Sequence, residues 1–172
     1  KEGNIVLDGT SVQGVTGSAI LVDGAGRKIP DVNLDIINGS TLLAGNNLLL
    51  DVTGGATANV NVLESHLEGN IKMSGESTGN LDFTHGFLTG DVIAEAGSTA
   101  RITLDKASVF TGNVDNIESV AINNASRWNM KGDNRVGTLD LHDGTVDFGS
   151  STPGTFYQLN AEHLSGQGTF VM

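Results

Sequence analysis

The sequence predicts an all-β fold, a right-handed parallel β-helix (a solenoid) of about seven coils with a C-terminal β cap. Three observations predict it. Val60-Asn61-Val62 through Ile71, Leu81-Asp82-Phe83 through Val92, and Ile102-Thr103-Leu104 through Val114 superpose as apolar-x-apolar, a short polar stretch, one or two apolar residues, Gly with Asn or Asp, then apolar again. Their spacing of 21 or 22 residues is that of a solenoid whose single coils cannot bury their own apolar faces. Composition agrees: 172 residues with 24 Gly, 5% aromatics and two Pro suit short aliphatic strands turning at glycine corners. Finally, Gly45-Asn46, Gly69-Asn70, Gly90-Asp91 and Gly112-Asn113 recur at one place in the repeat. Gly tolerates positive φ, and Asn and Asp tolerate it next best. The hand of the helix is taken from precedent.

Extending the repeat outward gives a first strand in every coil, with inward pairs Ile5/Leu7, Leu34/Ile36, Val60/Val62, Leu81/Phe83, Ile102/Leu104, Val120/Ile122 and Leu139/Leu141. Alternation with period 2 marks a strand with one buried face. The intervals between these pairs are 29, 26, 21, 21, 18 and 19 residues, so the early coils carry loops, above all Asp23 to Pro30, and the late coils are trimmed. Second strands are expected around Val12, Leu42/Leu43, Leu67, Leu88, Val109/Phe110, Trp128 and Val146. Third strands are expected around Ala19/Ile20/Val22, Leu48/Leu50, Ile71/Met73, Val92/Ile93 and Val114/Ile117. No stretch carries a helical apolar period. Residues 1–150 are read as coils and 151–172 as the cap of the same domain. The chain opens inside a strand-like segment and is expected to be a piece of a longer protein.

The net charge of −11 disfavours nucleic acid and anionic lipid as partners. No apolar run reaches the roughly 20 residues of a membrane-spanning helix, and the absence of Cys removes thiolate metal sites and disulfides. The strongest catalytic pattern is Asp35 and Asp82 on the outward row Asp35, Asn61, Asp82, Thr103, Ala121, Asp140. The pair is two coils or roughly 9–10 Å apart, near the limit for paired carboxylates. It has no basic neighbour on the same strand face and no aromatic platform nearby, so a solvated acidic stripe explains it better. His66, His85, His142 and His163 lack metal-ligand spacing. No nucleophile elbow, calcium-binding Gly-rich nonapeptide or phosphate loop is present. The chain is expected to be no enzyme, with no cofactor, metal or small-molecule substrate. Arg101, Lys106, Arg127, Lys131 and Arg135 are expected to pair with Asp105, Asp115, Glu118 and Asp133.

The last third carries an ordered set of motifs: Ala125 to Gly132 around Trp128 and Met130, then Val136 to Phe148 with Leu139, Leu141, Gly144 and Val146. Phe156, Tyr157 and Leu159 follow, and finally Leu164-Ser165-Gly166-Gln167-Gly168-Thr169-Phe170. In this order they resemble the end of a pertactin-like, AIDA-type autotransporter passenger. The resemblance covers residues 120–172 in motif detail and the whole chain in coil pattern. It implies that residues from about 80 onward act as an autochaperone, the folding nucleus and capped base of a stalk. It implies as partners the chain's own passenger and an outer-membrane barrel, with a host-cell protein or another copy of the chain as further candidates. The location it implies is the bacterial cell surface, or the medium after release. Trp128, Met130, Leu139, Leu141, Val146, Phe148, Phe156, Tyr157, Leu159, Leu164, Gly166, Gly168 and Phe170 are then the folding and cap residues. The alternative is an adhesive or self-associating module using loops 8–18 and 23–31 or a polar face of the rod. Aromatics support a special C-terminal part: none precedes Phe83, and the single Trp and single Tyr both fall after residue 120.

Overall fold

The structure, a computed structural model, describes residues 3–25 and 31–172. Numbered along the chain, the first coil is β1 (Gly3–Asp8), β2 (Ser11–Gly14) and β3 (Ile20–Asp23). The second is β4 (Val32–Ile37), β5 (Thr41–Ala44) and β6 (Leu48–Thr53). The third is β7 (Thr57–Leu63), β8 (His66–Glu68) and β9 (Asn70–Met73). The fourth is β10 (Thr78–Thr84), β11 (Phe87–Thr89) and β12 (Val92–Ala94). The fifth is β13 (Thr99–Asp105), β14 (Val109–Thr111) and β15 (Val114–Asp115). After these come β16 (Ile117–Asn123), β17 (Arg127–Asn129), β18 (Asn134–Asp147) and β19 (Leu159–Val171). Neighbouring coils pair in parallel throughout, and the described residues contain no helix. This is a parallel β-helix.

The register shows why the 21-residue spacing matters. Val60, Leu81 and Ile102 are direct partners in successive coils, as are Val62, Phe83 and Leu104, and all six are buried. Each apolar side chain is therefore covered by its equivalents above and below, which is how coils that are unstable alone become stable together. Ile5 departs from this pattern. It lies in β1, on which no described strand packs from the outer side, and it is exposed.

The third face differs from expectation in three places. In β6 Leu49, Leu50 and Val52 are all buried; Leu50 and Val52 partner Ile71 and Met73, and a bulge between Leu48 and Leu50 makes Leu49 the extra residue. The Leu48-Leu49-Leu50 run has no alternation from which that shift could be read. In β12 the inward pair is Val92 and Ala94, while Ile93 pairs with Lys72 on the outer side. Ile117 is the first residue of the next first-face strand, where it meets Val136.

The cross-section also changes along the rod. Only the first five coils have all three strands. Beyond β15 the third sheet ends, and β16–β17 keep two faces. In β18 the first and second strands fuse into one 14-residue strand, with a register shift between His142 and Gly144 where the corner would lie. β19 follows it residue by residue as a further parallel strand.

Buried serines hold the first corner. Ser40, Ser65, Ser108 and Ser126 are all buried after a residue of positive φ in the same corner. Ser108 Oγ accepts from Gly86 N at 3.0 Å, and Ser126 Oγ accepts from Ser108 N at 3.1 Å. At the third corner Ser98 Oγ accepts from Ser77 N at 3.1 Å. Small hydroxyls thus supply the bonds that backbone turning out of the strand ladder would otherwise lack. A search for apolar periodicity passes over them.

Candidate functional site in the closing coils

Where the third sheet ends, the core is short of one wall, and Trp128 fills the gap. It pairs with Phe110 below and Val146 above, is fully buried, and stacks on the Phe110 ring at 5.9 Å and 16°. Its Nε1 donates to the Gly112 carbonyl at 3.0 Å, so the indole satisfies a corner oxygen as well as occupying volume. Met130 is buried beside it, and Leu139, Leu141 and Val146 are buried along β18.

Asn134 closes the third face. Its Oδ1 accepts from Val114 N at 2.7 Å, and its Nδ2 donates to the Gly132 carbonyl at 2.8 Å and to Asn113 Oδ1 at 3.3 Å. The side chain replaces the carbonyl of a missing third-face strand, which makes it the one buried asparagine among the described residues. The motif reading of the sequence did not single it out. Asn134→Leu is expected to cost about 2 kcal/mol, because Val114 N–H is then buried without an acceptor; chemical denaturation measures it, with Asn113→Ala as the milder comparison.

The corner dipeptides form the column that runs into this site. Asn70 Oδ1 accepts from Asp91 N at 2.8 Å, Asp91 Oδ1 from Asn113 N at 2.8 Å, and Asn113 Oδ1 from Lys131 N at 3.1 Å. Gly69, Gly90 and Gly112 all have positive φ, and a Cβ on Gly90 would lie 2.0 Å from the Gly69 carbonyl oxygen. Gly45 packs equally closely, on the Val15 carbonyl, without positive φ. Asn46 is not in the column. Its Oδ1 accepts from its own neighbour Leu48 N, and the Asn47 carbonyl bonds Asn70 N instead. The extra residue in β6 moves the corner by one position.

At the C-terminal end the residues separate into two groups. Gly166 faces Leu141 with φ 86°, where a Cβ would meet the Leu141 carbonyl oxygen at 1.9 Å, and Gly168, without positive φ, faces Gly144, whose carbonyl oxygen a Cβ would meet at 2.6 Å. Leu164 pairs with Leu139 and Phe170 with Val146, and the Phe170 ring lies 5.8 Å from that of Phe148. Tyr157 and Leu159 are partly buried against the core, whereas Phe156 is exposed. β19 covers β18 but is itself open, with Leu164 60% and Phe170 43% exposed. Leu139, Phe148, Leu159, Ala161, Leu164 and Phe170 line an apolar hollow of about 210 Å³ there. The closing strand is thus an added rung, and covering of the end is partial.

No protein-family model matches the chain. Comparison with known proteins finds the probable autotransporter YcgV of Escherichia coli K12, 41% identical over 93 residues, which are 49% of this chain and 10% of that protein. The autotransporter adhesin/invasin TibA of Escherichia coli O78:H11 is 38% identical over 92 residues, 48% of this chain and 9% of TibA. The autotransporter CRAC of Citrobacter rodentium is 43% identical over 81 residues, 41% of this chain and 5% of CRAC. The chain is homologous to autotransporters. It spans about a tenth or less of the length of these three autotransporters.

Around the core of this autotransporter homologue, the charged side chains pair differently from expectation. Arg101 does pair with Glu118, at 2.7 Å, but Arg135 pairs with Glu162 and Arg127 with Asp147. Lys106 and Lys131 form no ion pair among the described residues. Asp147 Oδ1 also accepts from Gly149 N at 3.0 Å, and that bond, reinforced by Arg127, holds its carboxyl below the usual carboxylate range. A carboxyl depressed by folding stabilises the native state above its unfolded value and loses that contribution as pH falls through the folded value. Stability is therefore expected to fall below about pH 4, with a smaller acid-induced loss in Asp147→Asn, read from denaturation midpoints across pH.

Asp35, Asn61 and Asp82 do stack in register, with Asn61 Nδ2 donating to Asp35 Oδ1 at 3.4 Å. His142 Nδ1 lies 3.5 Å from Asp140, and His66 Nε2 lies 3.7 Å from Glu68. Of the loops expected to bind in the alternative reading, 8–18 contains β2 and an exposed Val15, while residues 26–30 of the other lie outside the described residues.

Proposed function

We propose that residues from about 80 to 172 are the folding nucleus and base of an autotransporter passenger stalk, which they help to fold during secretion. The observation that carries this reading is the change in core chemistry where the third sheet ends. Phe110, Trp128 and Asn134 give the closing coils anchors that do not depend on further identical coils. A solenoid whose coils are individually unstable needs such a starting point. Homology to autotransporters supports the setting: a passenger carried to the outer membrane by a barrel domain, and displayed at the cell surface or released. Its role is structural, without catalysis. The outward carboxylates Asp35 and Asp82 are separated by a whole coil, and Asn61 between them donates to one of them.

The test is surface display of the parent passenger. Trp128→Ser is expected to lower display at least severalfold more than Leu34→Ser, a substitution of an equally buried residue in the second coil. Equal losses would remove the special role of the closing coils.

A further inference from the structure

The outer side of the second face carries a feature that the folding role leaves unused. His66 and Phe87 are register partners on the outer side, with Thr41 beside them, and at the adjoining first corner Glu64 stands level with His85, with Gly39 bonded to the Glu64 carbonyl. Glu64 N bonds the Thr84 carbonyl, so the step from Glu64 to His85, like that from His66 to Phe87, is one strand spacing, about 4.8 Å. Between these pairs lies an open trough of about 520 Å³, lined also by Gly39, Thr41 and the buried Ser65. Phe87 is 43% exposed, and His66 is tilted against it at 5.8 Å and 58°.

We infer that this trough binds a neutral sugar ring, a hexopyranose at the end of a glycan or in a short oligosaccharide. An exposed aromatic ring offers a flat apolar surface for the C–H face of a pyranose. The Glu64 carboxylate accepts bonds from neighbouring hydroxyls, and the His66 and His85 imidazoles each offer one donor and one acceptor. The volume falls in the range of small-molecule sites and suits one or two sugar rings. Charge selects the class: Glu64 at the rim and a net charge of −11 oppose sialic acid, uronic acids and phosphorylated ligands. A protein partner would need a contiguous apolar centre, whereas this rim is one ring among polar groups. His85 and Phe87 fall inside the stretch assigned to folding, but the site uses none of its anchors Phe110, Trp128 and Asn134, so it stands or falls independently of them.

Saturation-transfer NMR of the 172-residue chain with the methyl pyranosides of glucose, galactose and mannose, with N-acetylglucosamine and with sialic acid tests it. At least one neutral sugar is expected to receive saturation through its ring C–H protons, with amide shift changes confined to residues 39–41, 64–66 and 85–87. Phe87→Leu keeps an apolar side chain but removes the ring, and is expected to weaken binding by about tenfold, while Phe87→Trp retains it. Circular dichroism confirms that both variants keep the fold. The inference is overturned by no transfer to any neutral sugar at tens of millimolar (roughly the weakest useful affinity). Shifts elsewhere on the rod, unchanged binding in Phe87→Leu, or sialic acid binding as well as the neutral sugars would overturn it equally.

Discussion

Trp128→Ala is expected to lower the free energy of unfolding by about 4 kcal/mol, the upper part of the range for removing a large buried aromatic. The side chain is fully buried, stacked on Phe110, and bonded through Nε1 to the Gly112 carbonyl. Its loss opens a cavity in the part of the rod that has one wall fewer, where β15 has no successor to collapse inward. Trp128→Phe separates the two contributions. It keeps the stacking and most of the volume but strands the Gly112 oxygen, and is expected to cost about 1–2 kcal/mol. Chemical denaturation followed by circular dichroism reads both values. A loss below about 1 kcal/mol for Trp128→Ala would mean that the sixth coil repacks freely and that the indole is no anchor.

Gly112→Ala is the second large effect, about 3 kcal/mol or more, because two penalties coincide at one atom. A Cβ there would sit 1.9 Å from the Gly90 carbonyl oxygen, and the backbone has φ 154°. The obstacle is backbone of the neighbouring coil, which cannot turn aside as a side chain could. Two other glycines calibrate the measurement. Gly39 has φ 75° but open space, so its alanine variant carries only the conformational term, about 1 kcal/mol. Gly17 has neither positive φ nor a neighbour within 4 Å, and alanine there is expected to be neutral. If Gly112→Ala resembled Gly39→Ala, close stacking of the corners would be unimportant.

Most of the first face was legible because its signal is local and regular. Residues such as Val60, Leu81 and Ile102 alternate with polar neighbours, and in a parallel stack each must meet its counterpart. The second face was readable at single residues, Leu67, Leu88 and Trp128, since its strands are only three residues long in these coils. The third face was less so. A run of three leucines in β6 hides a bulge, and Ile117 looks like a third-face residue until the shortening of the sixth coil is known. Asn134 and the serines of the first corner escaped because their role is hydrogen bonding inside the core, and their polarity gives no apolar period. Phe87 gave the opposite difficulty. An aromatic beside Leu88 reads as core, but the strand has room for one inward residue and Leu88 takes it. The partners of Arg127 and Arg135 lie 20 and 27 residues away, at separations fixed only by the winding.

Coils three to five share one register on all three faces, with Thr57, Thr78 and Thr99 in one column, Leu67, Leu88 and Phe110 in another, and Ile71, Val92 and Val114 in the third. Excising residues 78–98 would join Ser77 to Thr99, reproducing the Ser98-Thr99 junction already present. Such a sequence can gain or lose whole windings by tandem duplication or deletion without inventing a new contact, so the length of the rod is cheap to vary. The stretch holding Trp128, Asn134 and Gly166 has no such freedom, since each of these residues answers a neighbour found once in the molecule.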